Sequence, residues 1–213
     1  YLLDTEFNSM IGGKNITDNN FSCIHINIRS MNKNLEKFMQ LISDLVHSFT
    51  VICVTETWAN DSNKSNFNIP GYNCVMKCRK NRIGGGVAIY IRCDLSYSVR
   101  DDLNLLSCDD VDFVFADIVI DKCNFTVGVI YRPPDQDLPL FNNTFSTLLD
   151  KLKIGKNKKC IIAGDFNINL LNYQNHSETE IFLHNALSHF LYPTVTRPTR
   201  FCSTNSTLIK FRD

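Results

Sequence analysis

Four polar side chains stand where short apolar or alternating segments of the sequence end. Asp165 and Asn167 follow the run Cys-Ile-Ile-Ala-Gly, in which Gly164 predicts a tight turn. Glu56 follows Val-Ile-Cys-Val-Thr, and Asn27 closes an alternating segment. Such segments predict strands, so these side chains are expected on loops at a sheet edge, where catalytic groups collect. The same residue types also form ordinary strand-to-turn exits, so they do not decide the function alone.

The elements that must position these residues are strands and helices that interleave along the chain. Apolar runs and alternation predict a strand that ends at Asp165 and further strands over 21–28, 51–55, 72–77, 86–91, 111–120 and 124–131. Apolar residues at helical spacing predict helices over 35–49, 138–152 and 178–190. This interleaving of strands and helices indicates an α/β domain.

Length and charge set further limits. The 213 residues, of which 44% are hydrophobic, suffice for one domain with a substantial core. We predict a loose polar segment over 1–20 and a domain over 21–213. The 22 basic residues equal the 22 acidic ones in number, so nucleic-acid binding would depend on local patches. The candidate basic residues for such patches are Lys77, Arg79, Lys80, Arg82, Arg132, Arg197 and Arg200.

The nine cysteines are scattered along apolar segments and lack the paired spacing that is typical of zinc sites. We therefore expect reduced, buried thiols rather than a disulfide scaffold. The sequence also contains no secretory signal and no apolar run long enough to cross a bilayer. A membrane is accordingly not expected among the partners of this chain.

Several short motifs, taken together and in order, carry a family resemblance. They are Asn27, Thr55-Glu56-Thr57-Trp58, the segment 84–90 (Gly-Gly-Gly-Val-Ala-Ile-Tyr), Tyr131-Arg132-Pro133-Pro134, Gly164-Asp165-Phe166-Asn167 and Pro198-Thr199-Arg200. With these motifs the chain resembles the endonuclease/exonuclease/phosphatase superfamily, most closely the apurinic-type endonuclease domain of non-LTR retrotransposons. The resemblance implies a two-sheet α/β sandwich with helices on the outer faces.

The resemblance also implies an activity and partners. The expected reaction is divalent-metal-dependent hydrolysis of a phosphodiester, in which the domain nicks DNA and leaves a 3′ hydroxyl. A reverse transcriptase domain in a longer polyprotein would then extend that hydroxyl. The expected cofactor is Mg²⁺, or Mn²⁺ in its place, and the expected location is intracellular, nuclear when the protein is functional. The phosphatases and phospholipid phosphodiesterases of this fold are disfavoured by Tyr131-Arg132-Pro133-Pro134 and Pro198-Thr199-Arg200.

The resemblance assigns roles to seven residues of this chain. Glu56 is the expected metal ligand, and Asn27 assists at the metal or the phosphate. Asp165 orients or deprotonates the attacking water, and Asn167 hydrogen-bonds the phosphate. Further phosphate or substrate contacts are expected from Tyr90, Arg132 and Arg200.

The sequence departs from the family pattern near its C-terminus. Family members place an acidic residue after Thr-Leu-Ile, where this chain has Lys210, and later carry a Ser-Asp-His motif that this sequence lacks. We therefore expect a domain without its last strand or strands, either a fragment or a decayed copy. Two alternatives stay open on this basis: an impaired endonuclease domain, or a catalytically silent remnant that binds nucleic acid weakly.

Overall fold

The structure is a computed structural model that describes residues 6–9, 21–79, 84–104, 111–154 and 159–195. The described strands are β1 (Cys23–Asn27), β2 (Val51–Thr55), β3 (Tyr72–Lys77), β4 (Val87–Arg92), β5 (Ser96–Val99), β6 (Asp112–Ile120), β7 (Cys123–Tyr131) and β8 (Lys159–Asp165). The helices after residue 21 are α1 (Met31–Asp44), α2 (Asp101–Asn104), α3 (Leu138–Leu152) and α4 (Ser177–Ser188), with 3-10 turns at Lys64–Asn66 and Leu170–Asn175.

The strands form two four-stranded sheets, ordered β1-β2-β4-β3 and β5-β6-β7-β8. Within each sheet one pair is parallel: β1 with β2 in the first, and β7 with β8 in the second. The other neighbours run antiparallel. Because parallel strands end at the same sheet edge, the residues that close β1 and β2 are neighbours, as are those that close β7 and β8.

The two sheets pack face to face with helices outside them, which confirms the predicted sandwich. Alternate residues of β2 show the layers: Val51 and Cys53 face the second sheet, whereas Ile52 and Val54 belong to the core under α1. A third core lies between the second sheet and the helices α3 and α4, where Phe141 packs among other aromatic rings. No helix in the described ranges combines the length and apolar character needed to cross a membrane.

Most predicted elements match the structure, and the differences have local causes. Helix α1 begins at Met31 rather than at residue 35, since Met31 is fully buried and its N–H donates to the Thr57 carbonyl. Sequence reasoning missed β5, which has an exposed start and pairs only with β6. The predicted loose segment 1–20 lies outside the described residues, apart from helical residues 6–9.

The predicted turn at Gly164 is wrong, because this residue lies inside β8 and pairs with Ile130 of β7. A Cβ atom at Gly164 would come within 1.9 Å of the Ile130 carbonyl oxygen. The glycine is therefore required by the close approach of two backbones. This approach sets the position of the strand that delivers Asp165.

Replacing Gly164 with Ala is expected to lower the free energy of unfolding by about 3 kcal/mol, because the new methyl group meets a backbone that cannot move without breaking the β7–β8 pairing. Urea denaturation of both proteins measures the loss. The matched control is Gly71→Ala, where φ is +83° but no atom lies within 4 Å of the added Cβ. That change should cost only about 1–2 kcal/mol from backbone strain. Equal losses in the two variants would contradict the assigned role of Gly164.

Candidate active site

Three side chains from both sheets meet at one amide group. Asn27 closes β1, and its Nδ2 donates to Glu56 Oε1 at 2.6 Å and to Asp165 Oδ2 at 2.6 Å. The Asn27 Oδ1 faces the other way and accepts from the Arg29 N–H at 3.2 Å. Two carboxylates from different sheets therefore lie within hydrogen-bond reach of a single nitrogen.

This donor set fits a hard divalent cation. Asp165 is only 3% exposed, whereas Glu56 and Asn27 are half-buried, so the cluster opens to solvent on the Glu56 side. Within the described ranges no group of three or more His, Cys, Asp or Glu residues is placed to hold a metal. Two carboxylates suit Mg²⁺, which binds through one or two protein carboxylates and keeps several waters. The role of Asn27 as a metal ligand stays a prediction, because its amide nitrogen instead holds the two carboxylates together.

The backbone around the site adopts conformations that cost energy. Positive φ angles occur at Arg29 (47°), Ser30 (94°), Glu56 (55°), Trp58 (53°) and Asn167 (50°). Residues other than glycine rarely adopt such angles, and each costs on the order of 1–3 kcal/mol. These five lie on the three loops that carry Asn27, Glu56 and Asp165, whereas the other four non-glycine residues with positive φ in the described ranges lie elsewhere. Strain concentrated in this way is typical of functional sites.

The Glu56 loop is held on both sides by backbone hydrogen bonds. Its Glu56 carbonyl accepts from the Ser30 N–H at 2.8 Å, while the N–H groups of Thr57 and Trp58 donate to the glycine triplet. The triplet can approach this closely because a Cβ on Gly86 would lie 2.5 Å from Thr57 Oγ1. The Gly-Gly-Gly motif therefore acts on the site indirectly, by seating the loop that positions Glu56.

Arg132 holds the loop that carries Asn167. Its guanidinium donates to three carbonyls: Phe166 at 2.7 Å, Asn167 at 2.7 Å and Gln136 at 2.6 Å. In return, Asn167 Nδ2 donates to the Arg132 carbonyl at 2.8 Å. Burial lowers the pKa of Arg132, and the residue is only 4% exposed. The prediction that Arg132 contacts substrate is therefore corrected, since its donors are turned to the protein backbone.

Tyr90 is not part of the cluster. Its side chain is fully buried, and its hydroxyl donates to the Phe67 carbonyl at 2.7 Å. In β4 it pairs with Ile52 in the core under α1, three residues inside the edge where Glu56 emerges. The predicted phosphate contact by Tyr90 is therefore corrected. The predicted contact by Arg200 falls outside the described residues.

Tyr131 is the tyrosine that the fold does bring to the site. It ends β7 directly opposite Asp165 in the parallel pair with β8 and is 7% exposed. The pKa of Tyr131 is raised to about 12, first by burial and then by the nearby charges of Glu56 and Asp165, while the charge of Arg79 acts to lower it. Sequence reasoning missed this residue, although Tyr131 precedes Arg132 in the Tyr-Arg pair. Only the register of β7 with β8, which the structure supplies, identifies it.

A model of the endonuclease/exonuclease/phosphatase family matches residues 24–208, which spans both sheets and every residue of the cluster. The chain belongs to this family. No curated protein sequence gives a significant match.

Solved structures with the same fold include both nucleases and a phosphatase. The endonuclease domain of TRAS1, a telomere-specific non-LTR retrotransposon, has 13% identity and a TM-score of 0.59, covering 83% of this chain and 75% of that one. The 3′-5′ exonuclease NExo from Neisseria meningitidis has 15% identity and a TM-score of 0.58, with coverages of 89% and 85%. The mannosyl-6-phosphatase Bt3783 from Bacteroides thetaiotaomicron has 16% identity and a TM-score of 0.57, with coverages of 78% and 71%. At these identities the likeness shows the fold.

Replacing Arg132 with Lys is expected to lower the free energy of unfolding by about 3 kcal/mol, because an ammonium group cannot reach the three carbonyls that the guanidinium fork holds. Thermal or urea denaturation measures the change. The matched control is Arg100→Lys, which weakens ion pairs to Asp102 and Asp117, whose side chains are 59% and 33% exposed. The control should cost less than about 1 kcal/mol. A comparably small loss at Arg132 would argue against a structural clamp.

Proposed function

We propose that this domain hydrolyses phosphodiester bonds in DNA with the help of a divalent cation, as a nicking endonuclease. The observation that carries the proposal is the convergence of Glu56 and Asp165 on the amide nitrogen of Asn27, at 2.6 Å each. These residues come from three strand ends and from both sheets, so the arrangement is a product of the whole fold. Membership of the endonuclease/exonuclease/phosphatase family supports a hydrolytic reaction at phosphorus.

Glu56 is the residue that we propose as the protein ligand for Mg²⁺ or Mn²⁺. It is half-buried at the open side of the cluster, where a cation could keep several of its waters. The cation would neutralise the charge that develops on the phosphate during hydrolysis. Asn27 would keep the Glu56 carboxylate beside that of Asp165 by donating to both.

Asp165 is the residue that we propose to orient or deprotonate the attacking water. Asp165 is almost fully buried, and it is the last residue of β8. We propose that its carboxylate is the part of the residue that reaches the substrate. Asn167 sits two residues later, and its N–H donates to Asp165 Oδ1 at 3.3 Å. We propose that the second hydrogen of the Asn167 amide, beyond the one given to Arg132, binds a phosphate oxygen. Tyr131, opposite Asp165, is a second donor for the same phosphate.

The choice of DNA as substrate is the finer part of the proposal. Solved structures of this fold include a retrotransposon endonuclease domain and a sugar phosphatase, so the fold alone permits phosphodiesters and phosphomonoesters. DNA is favoured because Tyr131-Arg132-Pro133-Pro134 and Pro198-Thr199-Arg200 resemble the retrotransposon branch. We propose that a reverse transcriptase domain on a longer polyprotein would extend the 3′ hydroxyl.

A plasmid assay tests the proposal. The chain should convert supercoiled DNA to the nicked circle in the presence of Mg²⁺ and should stop when the metal is chelated, and the nick should carry a 3′ hydroxyl that a polymerase extends. Nicking by this chain that persists in chelator, or no nicking at any Mg²⁺ or Mn²⁺ concentration, would overturn the proposal. The second result would leave the alternative of a silent remnant that binds nucleic acid weakly.

Replacing Asp165 with Asn is expected to slow nicking by about 10²–10⁴-fold, because the amide cannot accept the proton of the attacking water. The shape of the residue is kept, so the fold should survive. The matched control is Asp150→Asn on α3, where the side chain is 71% exposed and pairs with His189. That variant should nick at the rate of the original chain. A residual rate in Asp165→Asn above one tenth of the original would remove Asp165 from the reaction.

Replacing Glu56 with Gln is expected to weaken Mg²⁺ binding by more than about tenfold. Mutating a residue that only supports a metal ligand already weakens metal affinity by about 10–100-fold, and losing the ligating carboxylate should weaken it at least as much. Isothermal calorimetry on the two proteins measures the affinity without any need for activity. The control is Glu36→Gln, an exposed carboxylate on α1. Unchanged affinity in Glu56→Gln would show that the metal binds elsewhere.

A further inference from the structure

A buried ion pair joins the two sheets beside the site, and the proposed reaction does not use it. Asp112 begins β6 in the second sheet, and its Oδ2 accepts from the Gly86 N–H at 2.9 Å and from Arg79 Nε at 2.6 Å. Both donors belong to the first sheet or its loops. The side chains of Arg79 and Asp112 are 9% and 6% exposed. Burial raises the pKa of Asp112, while the Gly86 N–H and the Arg79 charge favour its ionised form.

The guanidinium of Arg79 also packs on an aromatic ring. Its central carbon lies 5.6 Å from the centroid of the Tyr131 ring. Asp112 pairs with Tyr131 in the β6–β7 ladder, so the acid, the arginine and the tyrosine form one contiguous group. Among the described residues, the Tyr131 hydroxyl has no hydrogen-bond partner. The position of the ring is therefore set by packing, and Arg79 supplies one face of that packing.

We propose that Arg79 is a positioning residue that holds the Tyr131 ring at the active site and is itself anchored by Asp112. The inference rests on the proposed function, because the Tyr131 hydroxyl matters only if a phosphate binds at Glu56 and Asp165. It reassigns a cation that the sequence placed in a nucleic-acid patch. A direct contact between Arg79 and a phosphate is disfavoured, because its Nε is committed to Asp112 and its side chain is 9% exposed.

A double-mutant cycle on the nicking rate tests whether Arg79 acts by positioning Tyr131 or by contacting the phosphate directly. Arg79→Met keeps most of the side-chain volume but removes the charged guanidinium group. This variant should lower kcat by about tenfold with little change in KM, because a misplaced Tyr131 hydroxyl slows the reaction rather than weakening substrate binding. Tyr131→Phe removes the hydroxyl that Arg79 is proposed to position. In the Tyr131→Phe background, Arg79→Met should therefore cost less than about twofold, since its effect acts through that hydroxyl.

Two further variants distinguish a loss of nicking rate from a loss of folding. Arg79→Met leaves the Asp112 carboxylate buried without its cation, which can destabilise the domain. The double variant Arg79→Met with Asp112→Asn removes both charges and should show the same tenfold loss of kcat in a folded protein. Arg79→Lys restores a cation and should recover part of the rate. The matched control is Arg92→Met, which breaks a pair to Asp94 at the opposite end of β4.

A readout without activity keeps this inference separate from the proposed function. The chain has seven tyrosines, so fluorotyrosine labelling gives a small set of ¹⁹F resonances, and Tyr131→Phe identifies the one that belongs to Tyr131. Arg79→Met should shift that resonance, while Arg92→Met should leave it in place. If the chain does not nick DNA but the shift occurs, the proposed function fails and the Arg79–Tyr131 contact stands.

Two results would overturn the positioning role. The first is an unmoved Tyr131 resonance in Arg79→Met. The second is an additive cycle, in which Arg79→Met costs tenfold in both backgrounds, because Arg79 would then act on the substrate independently of Tyr131. A raised KM with unchanged kcat in Arg79→Met would point to the same direct contact.

Discussion

The site depends on one amide group held between two carboxylates. Glu56 and Asp165 belong to different sheets, and like charges this close repel each other unless a donor or a cation lies between them. Asn27 Nδ2 supplies that donor, with two contacts of 2.6 Å. Asn27 must therefore close β1 at the edge where β2 and β8 also end. The pairing of β1 with β2 and the packing of sheet on sheet are what bring the three groups together.

Hydrogen bonds from neighbouring loops hold Glu56 and Asp165 in this arrangement. The loop of Glu56 is bound on one side by residues 28–31 and on the other by the glycine triplet. The loop of Asp165 is bound by the fork of Arg132. Strained φ angles at Glu56 and Asn167 persist because these backbone contacts are numerous and buried. These contacts fix the two carboxylates side by side before any substrate binds, so the cluster is preorganised.

The parts of this site that the sequence could predict are those decided locally. A carboxylate after an apolar run lies at a strand end, which places Glu56 and Asp165 at a sheet edge. The choice between Tyr90 and Tyr131 is not local, because both lie on apolar strands. Tyr90 faces α1 inside the core, while Tyr131 stands opposite Asp165. Only the order and register of the strands separate them, and a single sequence does not contain that information.

The contacts of Arg79 and Arg132 were also beyond what the sequence alone could predict. Arg79 and Arg132 were both expected at nucleic acid, yet each directs its guanidinium to buried partners, Asp112 and three backbone carbonyls. An arginine near a polar motif has the same sequence signature whether it faces a phosphate or a carbonyl, because both accept from the fork. With those donors engaged and a formal net charge of zero, the proposed binding of DNA would have to draw on other cations. In the described ranges the exposed cations on the loop and helix after Asn27 are Arg29, Lys33 and Lys37, and Lys33 lies 6.0 Å from the Trp58 ring. Lys33 is thus an exposed cation beside the Trp58 ring of the Glu56 loop, whereas the guanidinium groups of Arg79 and Arg132 are engaged inside the protein.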